Sequence, residues 1–307
     1  RYVTLMDVFL TLVIRLLPLY LLIGLGYLAK RYLSVDKDHI AKLLIYILSP
    51  AILFHGAYTS PLTAGSLTLP IVFFVVCCAM CVAAYVISSL LWNDSRRNIA
   101  AFTSGTGNTG YFGLPVALAL FGESSISLMV LAMMGFLAYE TSLGLFIAAR
   151  GARSVKKSLA TVFSIPGPYA FALGILLNVT SMQLGATYES FILNARGAFT
   201  VLGMMMIGLA MADIKKGTFD IRFLATVFSF KFFLWPLTIL SLLWLDTHIL
   251  SLWSKEIHDV MILLSIVPLA ANTVVWATEF KSYPSSAALA VFSSTAFALV
   301  YIPAMVY

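Results

Sequence analysis

The sequence predicts an all-α membrane protein with ten transmembrane helices, arranged as two inverted repeats of five. Of the 307 residues, 61% are hydrophobic and only 10% are charged, which excludes a soluble globular protein of ordinary composition. Apolar stretches of about 20 residues, the length that crosses a bilayer, recur along the chain. Two of them, one in each half, are interrupted by asparagine among glycine or proline.

The ten predicted spans are joined by short connections that leave no room for a soluble domain. They cover residues 8–30, 37–58, 67–92, 97–121, 125–149, 159–178, 193–212, 219–245, 257–280 and 284–307. The fourth and ninth spans are the interrupted ones. Because each repeat holds an odd number of spans, the second repeat (152–307) is inverted relative to the first (1–151), an arrangement typical of secondary transporters.

Basic residues lie on alternate connections and indicate how the chain is oriented. Of the 19 Lys and Arg residues, 14 lie at odd-numbered connections: Lys30, Arg31, Lys37, Lys42, Arg96, Arg97, Arg150, Arg153, Lys156, Lys157, Lys215, Lys216, Arg222 and Lys281. The positive-inside rule makes these connections cytoplasmic and places both termini on the outer side. The net charge of +6 therefore reflects topology, and we expect a lipid bilayer, the plasma membrane or bacterial inner membrane, rather than nucleic acid as the partner.

The interruption of the fourth span covers residues 105–115. Its glycines match a dinucleotide-binding fingerprint by spacing, but that motif requires a preceding strand, which is missing here. In a helix, Gly costs about 1 kcal/mol and Pro about 3 kcal/mol relative to Ala. We therefore expect helix breaks at Gly107, Gly113 and Pro115 in the fourth span, and at Pro268 in the ninth.

An asparagine lies in each interruption, at a similar depth in the membrane. Asn108 lies about 16 Å from the start of its span and Asn272 about 12 Å from the end of its own. Their amides, with N–H groups freed at the broken helix, can bind a carboxylate. A proline kink used only for packing, or asparagines that only join helices, are the structural alternatives. The predicted substrate-binding residues are Asn108, Thr109, Gly110, Tyr111, Asn272 and Thr273.

Glu140 and Lys231 are the charged residues predicted deep within spans. A lone charge at the bilayer centre costs at least about 2.5 kcal/mol, so we expect them to form an ion pair. That pair is equally consistent with a structural role and with coupling of transport to an ion. Because the sequence shows no catalytic motif and no cluster of metal ligands, we expect no enzyme activity, metal or cofactor.

Several motifs resemble the auxin efflux carrier family over essentially the whole chain. They are Leu17-Pro18 with Gly26-Tyr27-Leu28, the run 48–54 around Pro50, Gly107-Asn108 through Pro115, Ile207-Gly208, Pro268 with Asn272, and Ser294-Thr295. The two interruptions are the most specific part of the resemblance. The long cytoplasmic loop of the large plant carriers is missing, so the resemblance is to a bacterial-type member.

The resemblance implies a fold shared with bile acid/sodium symporters and sodium/proton antiporters. In that fold, spans 1, 2, 6 and 7 form a scaffold that makes a homodimer, and spans 3–5 and 8–10 form a mobile transport domain. The broken fourth and ninth spans would cross, with Asn108 and Asn272 flanking the substrate carboxylate. The implied substrates are an auxin-like monocarboxylate or a dicarboxylate such as malonate or malate.

These observations predict a secondary transporter of a small organic anion that works by elevator-type alternating access. A sodium symporter or a cation/proton antiporter of the same fold is one alternative, although few carboxylates lie deep in the spans. A membrane sensor that does not transport is another. The sequence leaves the anion, the coupling ion and the direction of flux open.

Overall fold

The protein is helical throughout the part of the chain that the structure describes. The computed structural model describes residues 5–59, 68–122, 124–213 and 220–306, and these ranges contain no strand. Within these ranges, fourteen helices follow one another: α1 Leu5–Leu33, α2 Lys37–Thr59, α3 Thr68–Leu91, α4 Arg96–Ser104, α5 Leu114–Phe121, α6 Ser124–Thr141, α7 Leu143–Arg150, α8 Val155–Ser164, α9 Gly167–Val179, α10 Ala186–Met211, α11 Ile221–Leu250, α12 Lys255–Ile266, α13 Asn272–Glu279 and α14 Pro284–Val306.

Six of the described helical runs are individually long and apolar enough to cross a membrane. They are α2, α3, the run Leu128–Arg150 within α6 and α7, α10, α11 and α14. A seventh is the pair α8 and α9, which meet at an angle of 42°. The other predicted spans correspond to α1 and to two helix pairs, α4 with α5 and α12 with α13, that are interrupted where the asparagines lie. The protein is therefore a multi-pass membrane protein.

Two predicted spans differ from the observed helices. The predicted sixth span is a single helix over 159–178, but Pro166 divides it into α8 and α9, because proline lacks the N–H that would continue the helix. The predicted seventh span begins at residue 193, whereas α10 begins at Ala186. Helices often extend past their apolar stretch, and this difference changes where Arg196 lies.

Widened π turns precede three of the prolines. They cover Leu44–Leu48 in α2, Thr109–Gly113 before α5 and Phe230–Leu234 in α11, and Pro50, Pro115 and Pro236 each follow two residues later. A proline ring clashes with the carbonyl four residues before it. An extra residue in the preceding turn relieves that clash without ending the helix.

Helix pairing is strongest between α1 and α10 and between α2 and α9, while α3 packs mainly on α4 and α6. At the crossing of α1 and α10 the two backbones touch. A Cβ atom on Gly208 would lie 1.9 Å from the carbonyl oxygen of Ile23, and one on Gly26 would lie 2.1 Å from that of Met205. Small residues allow this close approach.

Ion pairs join odd-numbered connections at one end of the helix bundle. Arg96 donates hydrogen bonds to Asp94 and, at 3.1 Å, to Asp220, and its guanidinium lowers the pKa of Asp94 to about 2. Two further pairs are Lys37 with Asp213 and Arg153 with Glu279. The Tyr283 hydroxyl, at the ninth connection, also donates to Asp94 at 3.1 Å. Together these contacts place the first, third, fifth, seventh and ninth connections on the same side of the bundle.

We expect Gly208→Ala to lower the free energy of unfolding by about 1–3 kcal/mol, because the added methyl group forces α1 and α10 apart. Gly24→Ala is the matched control, since a Cβ atom on Gly24 meets nothing within 4 Å. Thermal unfolding of the purified variants measures both. Equal unfolding temperatures for the two variants would contradict the close contact at Gly208.

Candidate functional site

The two Asn-centred segments are unwound, and they contact each other. Helix α4 ends at Ser104 and α12 ends at Ile266. Helical structure resumes at Thr109, with the π turn that precedes α5, and at Asn272. The backbone N–H of Asn108 donates a 2.8 Å hydrogen bond to the carbonyl of Pro268. The fourth and ninth predicted spans therefore cross at their interruptions.

Two glycines of the first interruption lie where larger residues would collide with the second. A Cβ atom on Gly107 would lie 2.7 Å from Nζ of Lys231 and 2.9 Å from Cγ2 of Val267. One on Gly113 would lie 3.2 Å from Cγ1 of Val267. The glycines thus provide room for the crossing as well as weakening the helix.

Glu140 connects the two interruptions from helix α6. Its side chain is 8% exposed. One carboxylate oxygen accepts a 2.5 Å hydrogen bond from the hydroxyl of Thr106, and the other accepts a 2.9 Å hydrogen bond from the amide of Asn272. This carboxylate fixes the Asn272 amide in place, and a second N–H of that amide remains for a ligand.

Lys231 lies in the π turn of α11, fully buried, on another side of the crossing. Its Nζ atom donates to the carbonyl of Leu264 at 3.4 Å and lies 4.5 Å from the centre of the Trp235 ring. The Trp235 indole in turn donates to the carbonyl of Ser104 at 2.7 Å. The ammonium is thus stabilised by the carboxyl end of α12 and by an aromatic face.

The expected ion pair between Glu140 and Lys231 is not formed in the structure. Salt bridges within 4.0 Å among the described residues do not include this pair. The Glu140 carboxylate accepts hydrogen bonds from the Thr106 hydroxyl and the Asn272 amide. The Lys231 amino group donates to the Leu264 carbonyl and lies over the Trp235 ring. Polar groups freed by the unwound segments therefore replace the opposite charge.

A cavity of about 240 Å³ opens beside the crossing. The unwound segments contribute Gly107, Asn108, Thr109, Gly110 and Asn272 to its lining, and Glu140 lies among them. The opposite wall comes from α2 and α10. Aliphatic and aromatic side chains fill the rest of the lining, including Leu53, Met133, Phe136, Leu137, Val275 and Trp276.

Asn108 is the predicted site residue best placed to bind a ligand. Its side chain is 6% exposed and lines the cavity, and the described residues provide no hydrogen-bond partner for its amide. The N–H groups of residues 110–112 also precede the first hydrogen bond of the following turn, which runs from the N–H of Gly113 to the carbonyl of Asn108 at 2.9 Å. Unpaired donors therefore collect at this point of the cavity wall.

The other predicted site residues fall into three groups. Thr273 is fully buried outside the cavity lining, and its hydroxyl has no hydrogen-bond partner among the described residues. Pro268 contributes its carbonyl to the crossing rather than to the cavity. The side chains of Tyr111 and Pro115 lie outside the described residues, although their backbone is part of the helical run.

Arg196 lines the cavity and was not predicted as a site residue. The sequence places it at the outer flank of a span that begins at residue 193. Because α10 begins at Ala186, Arg196 lies about 15 Å along the helix at 1.5 Å per residue.

Thr106, which donates to Glu140, was also not predicted as a site residue. Its position between Gly105 and Gly107, within the predicted helix break, was the feature that could have identified it.

Exchanging the two deep charges should not restore a stable protein. Glu140→Lys places an ammonium against the Thr106 hydroxyl and the Asn272 amide, and Lys231→Glu places a carboxylate against the Leu264 carbonyl. We expect the double variant to unfold at a temperature no higher than the less stable single variant, because neither site contains the other partner. Recovery of the wild-type unfolding temperature in the double variant would show that the two charges do interact.

Comparison with known proteins agrees with these features. The family model described as membrane transport protein matches residues 11–165, half of the chain. An uncharacterized transporter of Methanocaldococcus jannaschii is 27% identical over 298 residues, which cover 92% of this chain and 94% of that protein. The family resemblance seen in the motifs is confirmed, and the chain belongs to the membrane transport protein family, which includes the auxin efflux carriers.

Proposed function

We propose that the protein is a secondary transporter of a small organic anion, whose carboxylate binds where the two unwound segments cross. The observation that carries this proposal is the Asn108 amide, which is buried, lines the cavity and has no hydrogen-bond partner among the described residues. An amide that faces a cavity without a protein partner is a donor that a ligand can use. A carboxylate would accept hydrogen bonds from Asn108 and from the N–H groups of residues 110–112, and its charge would strengthen them.

The cavity suits a small ligand with an apolar part. Its volume of about 240 Å³ is just below the range of about 300–1,000 Å³ that is typical of ligand pockets. Polar groups are concentrated at the crossing, while side chains such as Phe136 and Trp276 are apolar. A carboxylate at the crossing with a short hydrocarbon body against these side chains fits this distribution.

Helix packing supports the proposed architecture of two inverted repeats. The pair α1 and α10 joins the first predicted span to the seventh, and the pair α2 and α9 joins the second to the sixth. These pairs exchange if the two halves of the chain are interchanged, as an inverted repeat requires. We propose that spans 1, 2, 6 and 7 form the scaffold, which would carry the homodimer contact.

The cavity lies between this scaffold and the proposed transport domain. Helices α2 and α10 line one side, and the interrupted segments with α6 line the other. Movement of one group of helices against the other would carry the ligand across the membrane, as in an elevator mechanism. The end that bears the Arg96 and Lys37 ion pairs would face the cytoplasm, with both termini outside.

Lys231 favours an anion carrier over a sodium symporter of the same fold. In transporters with interrupted helices, free carbonyls at the end of a half-helix coordinate the coupling cation. Here the Lys231 ammonium already donates to the Leu264 carbonyl at the end of α12. The Lys231 side chain therefore occupies the position that a coupling sodium ion would take.

Asn108→Ala should lower the rate of carboxylate uptake about tenfold or more, because the variant loses a hydrogen bond to a charged group. Proteoliposomes that contain the purified protein would be assayed with radiolabelled malonate and indole-3-acetate as probes. Asn194→Ala is the control, since Asn194 is exposed on α10 and donates only to the backbone of Ser190. Uptake at the wild-type rate in Asn108→Ala would refute the site, and binding without uptake in the wild type would favour the sensor.

Replacing external sodium by potassium should leave the initial rate of probe uptake unchanged within about twofold, because Lys231 occupies the carbonyl end of α12. The measurement uses the same proteoliposomes without a proton gradient. A strict requirement for sodium would establish the symporter alternative. The carboxylate site at Asn108 is tested separately and would not be affected by that result.

A further inference from the structure

Among the described residues that line the cavity, Arg196 is the only cationic one and Glu140 the only acidic one. Arg196 extends from α10 on the wall opposite the interrupted segments, with Thr200 one turn further along the same helix. Glu140 receives its hydrogen bonds from Thr106 and Asn272. The two charges are therefore carried by different walls and do not neutralise each other directly.

Arg196 is an exposed residue that lines the cavity. Among the described residues, no carboxylate, carbonyl or hydroxyl accepts a hydrogen bond from it. The nearby charged or titratable groups include Glu189 and His55, and His55 is hydrogen-bonded to the Tyr188 hydroxyl at 2.8 Å. The five N–H donors of the planar Arg196 fork thus have no protein acceptor among the described residues. Charged residues in membrane-spanning helices commonly mark a ligand or ion pathway.

Glu140 opposes part of the attraction that the N–H donors at the crossing exert on a negative charge. Its carboxylate lies within hydrogen-bond distance of the Asn272 amide, so an anion bound at the crossing experiences a like charge from Glu140. An anion that also reaches Arg196 gains an opposite charge on the other wall. Arginine binds carboxylates with two parallel hydrogen bonds, which adds geometric selectivity to the attraction.

We infer that Arg196 is a specificity-determining residue that binds a second anionic group of the substrate, so that the cavity selects organic anions with a charge at each end. One carboxylate would bind the Asn108 amide and the N–H groups of residues 110–112, and the other would bind Arg196. Apolar side chains such as Phe136 and Leu137 would contact the chain between them. This inference rests on the proposed function, because it requires the first carboxylate at the crossing.

The test compares dicarboxylates with monocarboxylates of equal carbon number. Malonate, succinate, glutarate and adipate are paired with propionate, butyrate, valerate and caproate at about pH 7.5, where all carboxyl groups are ionised. Dissociation constants come from titration calorimetry of the purified full-length protein. For at least one pair, we expect the wild type to bind the dicarboxylate about tenfold or more tightly than its monocarboxylate. The dicarboxylate with the largest ratio of dissociation constants indicates the distance between the two carboxylate-binding positions at Asn108 and Arg196.

Arg196→Gln should reduce that ratio to near one while changing monocarboxylate binding less than about threefold, because only the contact with the second carboxylate is lost. Arg196→Lys keeps the charge without the planar fork and should retain part of the ratio. Arg222→Gln is the matched control for net charge, since Arg222 is exposed on α11 and does not line the cavity. Thermal unfolding without ligand checks that each variant is folded.

An unchanged ratio in Arg196→Gln, or an equal loss in Arg222→Gln, would overturn the inference. So would a wild-type protein that binds no dicarboxylate more tightly than its monocarboxylate. Asn108→Ala separates this inference from the proposed function. If Asn108→Ala weakens both classes and Arg196→Gln leaves the ratio intact, only the role of Arg196 fails. If Asn108→Ala changes neither class, the carboxylate site at the crossing fails, and with it the two-ended mode of binding.

Discussion

Unwound backbone inside an apolar helix bundle must find hydrogen-bond partners, and the site depends on how this chain meets that requirement. The two interruptions satisfy part of each other's need through the bond from Asn108 to Pro268. Side chains supply the rest: Ser294 accepts from the backbone N–H of Leu269, and Trp235 donates to Ser104. Proline at position 268 lacks an N–H, so one donor fewer needs a partner there.

This requirement also explains why the deep charges do not pair with each other. Glu140 stabilises donors on both interruptions, and Lys231 stabilises an acceptor at the end of α12. Each charged side chain is thus held by polar groups of the unwound segments or of a helix end, and not by the other charged side chain. If Glu140 and Lys231 paired directly, the Thr106 hydroxyl, the Asn272 amide and the Leu264 carbonyl would need other hydrogen-bond partners. The arrangement keeps the Asn108 amide as the donor that faces the cavity.

The sequence predicted the positions of the two interruptions because glycine, proline and asparagine stand out in apolar spans. It did not predict the partners, because hydropathy carries no information about the rotation of one helix against another. The ion pair between Glu140 and Lys231 was expected because each buried charge requires a polar partner. Hydroxyl, amide, carbonyl and ring groups provide those partners instead. Arg196 was missed because the first turns of α10 contain Tyr188, Glu189 and other polar residues, so the helix begins before its hydropathy rises.

The contact between Gly26 and the backbone of α10 has a consequence for how the chain is made. Gly26 is synthesised about 180 residues before Gly208, and at about 5–20 residues per second that interval lasts roughly 9–36 s. During this time the glycine face of α1 lacks the helix that covers it in the finished protein. The same applies to α2, whose main partner α9 also belongs to the second half. When the first half has been synthesised, α1 and α2 therefore still lack their main partner helices, and their packing is completed only with the second half.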